Sequence, residues 1–291
     1  MPFIYMVFRQ IKLNCLPIGL SFLTILFSVN LQANEEPAKR IIALSPHAVE
    51  MLFAIGAGDK IVATLEYADY PEQALKIPRI GNYAGIQIER LLELKPDLVI
   101  GWKGGNKTSD LEKIKSLGID VVYTQPQSIQ DIISDLEKFG QLTEQQEQAQ
   151  SVIDNMQKRY QLIRQTYQNK SPINVFYQLW HDPLQSVGAD SWIESLIHDC
   201  GGSNIYRQAS TPYPMVSMES VLVKNPQVII IPHHSGSEVE KRIYWSKWPE
   251  ISAVKAENIF TINGDLLHRF TPRSLDGLEL MCEKINQGRQ S

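Results

Sequence analysis

An α/β fold of two Rossmann-like lobes, joined by a single long backbone helix with a ligand cleft between the lobes, is predicted by three observations. Short apolar strands alternate with helices of about ten residues, a pattern that builds parallel βαβ units. From Glu144 to Gln168 there is neither Gly nor Pro, and Ala149, Ile153, Met156, Tyr160, Ile163 and Tyr167 recur at steps of four and three. Ile88–Ile100 is echoed by Met218–Ile230 at a constant offset of 130, with Glu89/Glu219, Leu92/Leu222 and Pro96/Pro226 identical.

Residues 1–33 stand apart from that fold. Arg9 and Lys12 are their only charges, an apolar run follows from Ile18 to Val29, and Leu31-Gln32-Ala33 places a small residue before Asn34-Glu35-Glu36. This is the order of a cleaved secretory signal peptide, and the run is short for a membrane span, which needs about 20 residues. Cys15 lies ahead of the apolar run and so is not a lipoprotein cysteine at the cleavage point. Removing 33 of 291 residues leaves 258, and with two basic and no acidic residues lost the charge moves from −4 to −6. That acidic balance offers no footprint for nucleic acid. The two remaining cysteines, Cys200 and Cys282, are 82 positions apart. An oxidising compartment favours their pairing, with two buried thiols as the alternative.

The predicted organisation is a linker over 34–39, an N-terminal lobe over 40–143, the connecting helix over 144–169 and a C-terminal lobe over 170–291. Arg40–Leu44 reads as a buried strand, and Ser45-Pro46 as the N-cap and first-turn proline of a helix ending near Gly56 and Gly58. Lys60–Leu65 is a second strand, Ile88–Leu94 a helix, Asp97–Ile100 a strand, Ser109–Leu117 a helix and Asp120–Tyr123 a strand. The stripe over Glu144–Gln168 predicts a helix of about 25 residues, roughly 38 Å long, better suited to a stiff strut than a tether. Ser171-Pro172 ends it, and Asn174–Leu179 starts the second set of strands. Ligands of open α/β sheets sit beyond the carboxyl ends of the strands, so two facing lobes form a cleft there.

Enzymatic machinery is not evident. Gly101-Trp-Lys-Gly-Gly-Asn-Lys-Thr108 differs from a phosphate-binding loop only at Asn106, where that loop needs a glycine for close backbone approach. The histidines His47, His181, His198, His233, His234 and His268 show no metal-ligand spacing, and no Gly-x-Ser-x-Gly elbow occurs. The predicted strand-end loops carry aromatic rings instead: Tyr67, Tyr70, Tyr83 and Trp102 in the first half, Trp180 and Tyr213 in the second, with Asp265 and Arg269 flanking Leu266-Leu267-His268. Flat rings with polar tips suit a large, partly apolar ligand bearing amide or hydroxyl groups.

Several segments together resemble a known family. They are Arg40-Ile-Ile-Ala-Leu-Ser-Pro46, Tyr67-Ala-Asp-Tyr-Pro71, Leu91–Asn106, Cys200-Gly-Gly-Ser-Asn-Ile205 and Asp265–Arg273. Over about 40–288 the chain is similar to the helical-backbone substrate-binding proteins of ABC importers, which carry cobalamin, iron-siderophores or haem. Trp102–Asn106 and Asp265–Arg269 look most like the cobalamin (vitamin B12) binders. The resemblance implies a periplasmic, non-enzymatic receptor, monomeric when free, that uses no cofactor or metal of its own. Such a receptor carries cobalamin as transported ligand to a permease dimer with its ATPase subunits.

It places ligand contacts at Tyr67, Tyr83, Trp102, Tyr213, Asp265 and Arg269, with tyrosine at 83 and 213 where a well-known member has tryptophan. Leu184-Gln185 stands where that member has an aromatic contact. The family's disulfide maps onto Cys200 and Cys282, and its permease-docking carboxylates onto Glu89 and Glu219. The alternative within the family is a haem or siderophore receptor, for which His268 or Tyr213 would be the axial ligand of haem.

Overall fold

The computed structural model describes residues 36–233 and 245–290; the signal segment 1–33, with Cys15, and also His234 lie outside the described residues. The strands are β1 (Ile41–Ala43), β2 (Ile61–Thr64), β3 (Gly81–Asn82), β4 (Gly85–Ile86), β5 (Leu98–Trp102), β6 (Val121–Thr124), β7 (Ile173–Tyr177), β8 (Trp180–His181), β9 (Leu184–Gln185), β10 (Gly202–Asn204), β11 (Val228–His233) and β12 (Ile259–Asn263). The helices are α1 (Pro46–Ala54), α2 (Ile88–Glu93), α3 (Thr108–Ser116), α4 (Ile129–Thr143), α5 (Gln146–Tyr167), α6 (Trp192–Asp199), α7 (Met218–Lys224), α8 (Ser252–Lys255), α9 (Gly264–His268) and α10 (Ser274–Gly288).

The strands form two parallel four-stranded sheets of the same topology, β2-β1-β5-β6 and β10-β7-β11-β12. In each, the first strand is internal, the second lies on its outer side and the third on its other side. The 130-residue echo has a structural counterpart: α2 and β5 occupy in one lobe the places of α7 and β11 in the other. Alternation within β1 explains why both faces are apolar. Ile41 and Ala43 pack with α1 and α4, while Ile42 and Leu44 pack with α2 and α3. Parallel strands covered by helices on both sides need that continuous hydrophobicity.

The connecting helix begins later than the periodicity predicts. Glu144 takes the left-handed conformation (φ 55°) and its N–H bonds back to Gly140, so it closes α4 instead of opening α5. The helix is therefore 22 residues, about 33 Å. The preceding α4 was not predicted, although Ser128 caps it through Asp131 and Ile129, Ile132, Ile133, Leu136 and Phe139 form its buried stripe. At the α4–α5 turn a Cβ on Gly140 would lie 2.7 Å from the Ala149 methyl, so only glycine permits this approach.

The predicted α5 stripe is used as expected: Ala149, Ile153, Met156 and Ile163 are buried, with Tyr160 and Tyr167 packed at the margin. One apolar core runs from β1, α1 and α4 through α5 to β7, α6 and α10. Polar contacts fasten the same helix on its second side, with Arg159 bonded to Asp276 (2.7 Å) and Glu279 (3.1 Å) and the Tyr160 hydroxyl donating to Asp199 (2.7 Å). Cys200 at the end of α6 is disulfide-bonded to Cys282 in α10, and both are fully buried.

Candidate ligand site

Parallel strands bring the carboxyl ends of each sheet to one edge; Tyr67 follows β2, Trp102 ends β5 and Asp265 follows β12, whereas Tyr83 sits on the separate β3–β4 hairpin and Tyr213 beside β9. Tyr67 lies beyond β2 with φ 69°, a left-handed conformation rare for a bulky residue and characteristic of functional loops. Its neighbour Ala68 is buried and gives its carbonyl to Arg79 (2.6 Å), while the Tyr67 ring is 67% exposed. Tyr83 sits at the tip of the β3–β4 hairpin, 76% exposed. The turn is closed by Asn82 Oδ1 accepting from the Ala84 N–H (2.9 Å), and the Glu66 N–H bonds to the Gly81 carbonyl, keeping the hairpin beside the Tyr67 loop. Tyr213 stands between Pro212 and Pro214, whose carbonyls accept from the Gly188 and Ser186 amides at 2.8 and 3.0 Å. That pairing fixes Tyr213 beside β9 of its own lobe, with its ring exposed.

Trp102 ends β5, and the loop after it seats its indole. A Cβ on Gly105 would fall 2.0 Å from the ring, so the ring lies directly on this glycine. Asn106 Oδ1 accepts from the Trp102 N–H and its Nδ2 donates to the Leu44 carbonyl, both at 2.7 Å, tying the loop to the end of β1. The phosphate-loop lookalike is thus a cradle for an indole, with Asn106 as its clip. From beneath, the His47 ring meets Trp102 edge-on (5.2 Å, 84°) and Phe270 of the opposite lobe likewise (6.1 Å, 86°). Burial lowers the His47 pKa to about 3, so the imidazole is neutral. The Thr124 hydroxyl donates to Asp135 and lies 3.3 Å from His47 Nε2, and the Ser45 hydroxyl lies 3.4 Å from the same nitrogen.

Asp265 opens α9, where Asn263 caps its N–H (2.9 Å), and Arg269 follows the last turn. The guanidinium of Arg269 is heavily engaged: Nη1 donates to Glu50 (3.0 Å) and Asp69 (2.6 Å), and Nη2 lies 3.3 Å from Asp265. Burial works against the charged form of Arg269, but bonds to Asp69 and Glu50 outweigh it and raise its pKa. Burial likewise opposes ionisation of Asp69, yet the Arg269 hydrogen bond and charge leave its carboxyl below the usual value. Arg273 adds a forked pair to Glu50, Nε at 2.9 Å and Nη2 at 2.8 Å.

The contacts group the Tyr67 loop, the Tyr83 hairpin, Trp102 and the Asp265–Arg269 segment, while Tyr213 is held by its own lobe. Glu50, Asp69, Arg273, His47 and Phe270 belong to this grouping but were not singled out from sequence. Asp69, Phe270 and Arg273 lie inside the segments that carry the resemblance, and Glu50 is a charge within the otherwise apolar stretch Ala48–Phe53. Glu89 and Glu219 occupy the same position in the first turns of α2 and α7, both exposed. Glu219 accepts from its own N–H and pairs with Ser217, which lowers its pKa. His268 Nε2 lies 2.8 Å from the hydroxyl of fully buried Tyr177, whose ionisation burial pushes well up. Among the described residues, no group of three or more His, Cys, Asp or Glu could hold a metal ion. A cavity of about 570 Å³ between the start of α4 and the end of α5, lined by Ser128, Ile133, Tyr160 and Arg164 among others, contains none of the candidate residues.

Known proteins are similar to this chain in sequence and in fold. Residues 41–266 match the family described as periplasmic binding protein. The chain is 38% identical over 265 residues to the vitamin B12-binding protein of Vibrio vulnificus (strain YJ016), covering 91% of this chain and 95% of that one. The crystal structure of periplasmic vitamin B12 binding protein BtuF of Vibrio cholerae is similar at TM-score 0.80 and 38% identity, covering 88% of this chain and 99% of that one. Periplasmic heme-binding protein RhuT from Roseiflexus sp. RS-1 shares the fold at TM-score 0.75 and 21% identity, covering 86% and 99%. With both sheets inside the matched span, the chain belongs to the periplasmic binding protein family.

Proposed function

We propose that this protein is a periplasmic receptor that captures vitamin B12 between its two lobes and delivers it to an ABC transporter permease. The observation that supports this reading is the grouping of the Tyr67 loop, the Tyr83 hairpin, Trp102 and the Asp265–Arg269 segment, with the Tyr213 ring exposed in the second lobe. Tyr67, Tyr83, Trp102 and Tyr213 form the flat wall for a corrin ring, and Asp265 and Arg269 supply hydrogen bonds to its amide arms. Flat macrocycles gain from aromatic area, while amide groups need placed polar partners to replace water. The 38% identity to a vitamin B12-binding protein over nearly the whole chain supports the same ligand. The leader over 1–33 would be cleaved on export, and the free receptor would be monomeric.

Calorimetry of the exported chain with cyanocobalamin, haemin and a ferric siderophore tests the ligand. Tight binding of cyanocobalamin is expected; no heat with it and strong heat with haemin would select the haem reading. His268 is poorly suited as a haem ligand because its Nε2 already lies against Tyr177.

Delivery would use Glu89 and Glu219, one carboxylate per lobe, against basic residues of a two-subunit permease. Charge reversal at both positions is expected to abolish uptake and leave cobalamin affinity intact. Persisting uptake would reduce them to carboxylates favoured by their helix N-termini.

A further inference from the structure

Glu50 is an anomaly in α1. It is 4% exposed, and the residues around it, Ala48, Val49, Met51 and Leu52, are fully buried apolar groups. A carboxylate in such a place is costly unless it is paired and hydrogen-bonded. Its partners come from across the lobe interface: Arg273 forks onto both oxygens and Arg269 shares one of them. Forked guanidinium–carboxylate pairs fix orientation as well as distance.

The same two arginines reach the loop that carries Tyr67. Arg269 donates to Asp69 at 2.6 Å, and the Arg273 guanidinium lies 3.4 Å from the centre of the Tyr70 ring. That loop needs holding, because Tyr67 has the left-handed backbone at φ 69°. Strained conformations persist only where surrounding contacts over-determine them. Helix packing by itself does not demand the carboxylate. In α6, the corresponding first helix of the other lobe, counting five residues on from the capping serine gives buried Leu196 where α1 has Glu50.

We propose that Glu50 is a positioning residue for ligand capture: it fixes Arg269 and Arg273 across the interface and through them holds the Tyr67–Pro71 loop in its ligand-facing form. This rests on the reading that Tyr67 and Arg269 face the ligand. Glu50 is bonded to Arg269 and Arg273 and acts on affinity through them. Preorganised loops bind more tightly because less freedom is lost on binding.

The test is Glu50→Gln, which keeps the shape and removes the charge. Cobalamin affinity, measured well below the melting temperature, is expected to fall about tenfold or more through lost preorganisation. Hydrogen exchange at the amides of 67–70 is expected to speed by a similar factor, on the order of tenfold, as local opening becomes easier, with β1 and β5 amides unchanged. Loss of melting temperature with affinity intact would make Glu50 merely structural and overturn the proposal. Lost affinity with unchanged exchange at 67–70 would also overturn it, since the effect would then be one of charge alone. Should the variant fail to fold, Arg273→Met leaves Glu50 paired with Arg269, and the same two readouts apply with a smaller shift. If the unmodified protein shows no heat with cobalamin, the ligand reading fails. Exchange at 67–70 still decides the role of Glu50: faster in the variant sustains it, unchanged removes it.

Discussion

The two lobes share a strand order and a helix–turn–strand phrase, yet they equip their strand ends differently. The N-terminal lobe presents rings: Tyr67 on a strained loop, Tyr83 on a hairpin tip and Trp102 on a glycine seat. The C-terminal lobe presents Trp180 on a short hairpin, one tyrosine between prolines and a charged segment, Asp265 to Arg273. Their first helices diverge in the same sense. Serine caps both, but two and five residues later α1 has His47 and Glu50 while α6 has Ile193 and Leu196, all buried. A repeated framework therefore leaves the loops and one buried helix face free to specialise, because neither alters the alternation that builds the sheets. The result suits a ligand with a flat face and a polar edge.

Only the C-terminal lobe is covalently stapled, through Cys200 and Cys282, and removing the bridge should expose the largest asymmetry. With 82 positions between the cysteines, the chain-entropy argument puts the loss at about 4.5 kcal/mol. Chemical denaturation of Cys200→Ala/Cys282→Ala should show it as an earlier transition in probes of α6 and α10. An unaltered midpoint would mean that the continuous core through α5 carries both lobes unaided.

The buried imidazole makes the opposite asymmetry. His47 is neutral with a folded pKa of about 3, against 6.5 ordinarily. Below pH 6.5 the unfolded chain takes up a proton that the folded protein refuses, so stability falls as pH drops from 6.5 toward 3. It is fully present above that window. The slope is about 1.4 kcal/mol per pH unit, or roughly 2.7 kcal/mol by pH 4.5. The difference between the parent and His47→Phe denaturation energies across this range isolates the effect; a pH-independent difference would show the ring protonates in place.

Smaller again is the cost of disturbing the Trp102 seat. Gly105→Ala puts a methyl 2.0 Å from the indole, an overpacking worth about 1–3 kcal/mol. The ring must move, so ligand affinity should fall with the melting temperature. Affinity that survives would remove Trp102 from the wall. An alanine at exposed Tyr213, in the other lobe, should cost affinity with little change in melting temperature.

Much of the framework was legible because it is local. The capping Ser45-Pro46 pair, the two-faced apolar β1 and the 130-residue echo all carry their structural meaning within a few residues. Where two local signals competed, the reading slipped: Glu144 extends the α5 polar face in sequence, but its left-handed backbone makes it the end of α4. The Gly104-Gly105 pair showed the same limit. Glycines next to a strand end signal close approach, but not whether a phosphate or an indole approaches.

By itself the sequence determined the alternating sheets, the connecting helix, the repeated halves and the rings at the strand ends, since periodicity and turn chemistry act between near neighbours. Tertiary structure alone decided which charges meet. Glu50 and Arg273 are 223 positions apart and join only when the lobes dock. Asp69 and Arg269, 200 positions apart, are drawn into the same group. No local pattern encodes such pairs, because their energy depends on burial and geometry that exist only once both lobes are folded and in contact.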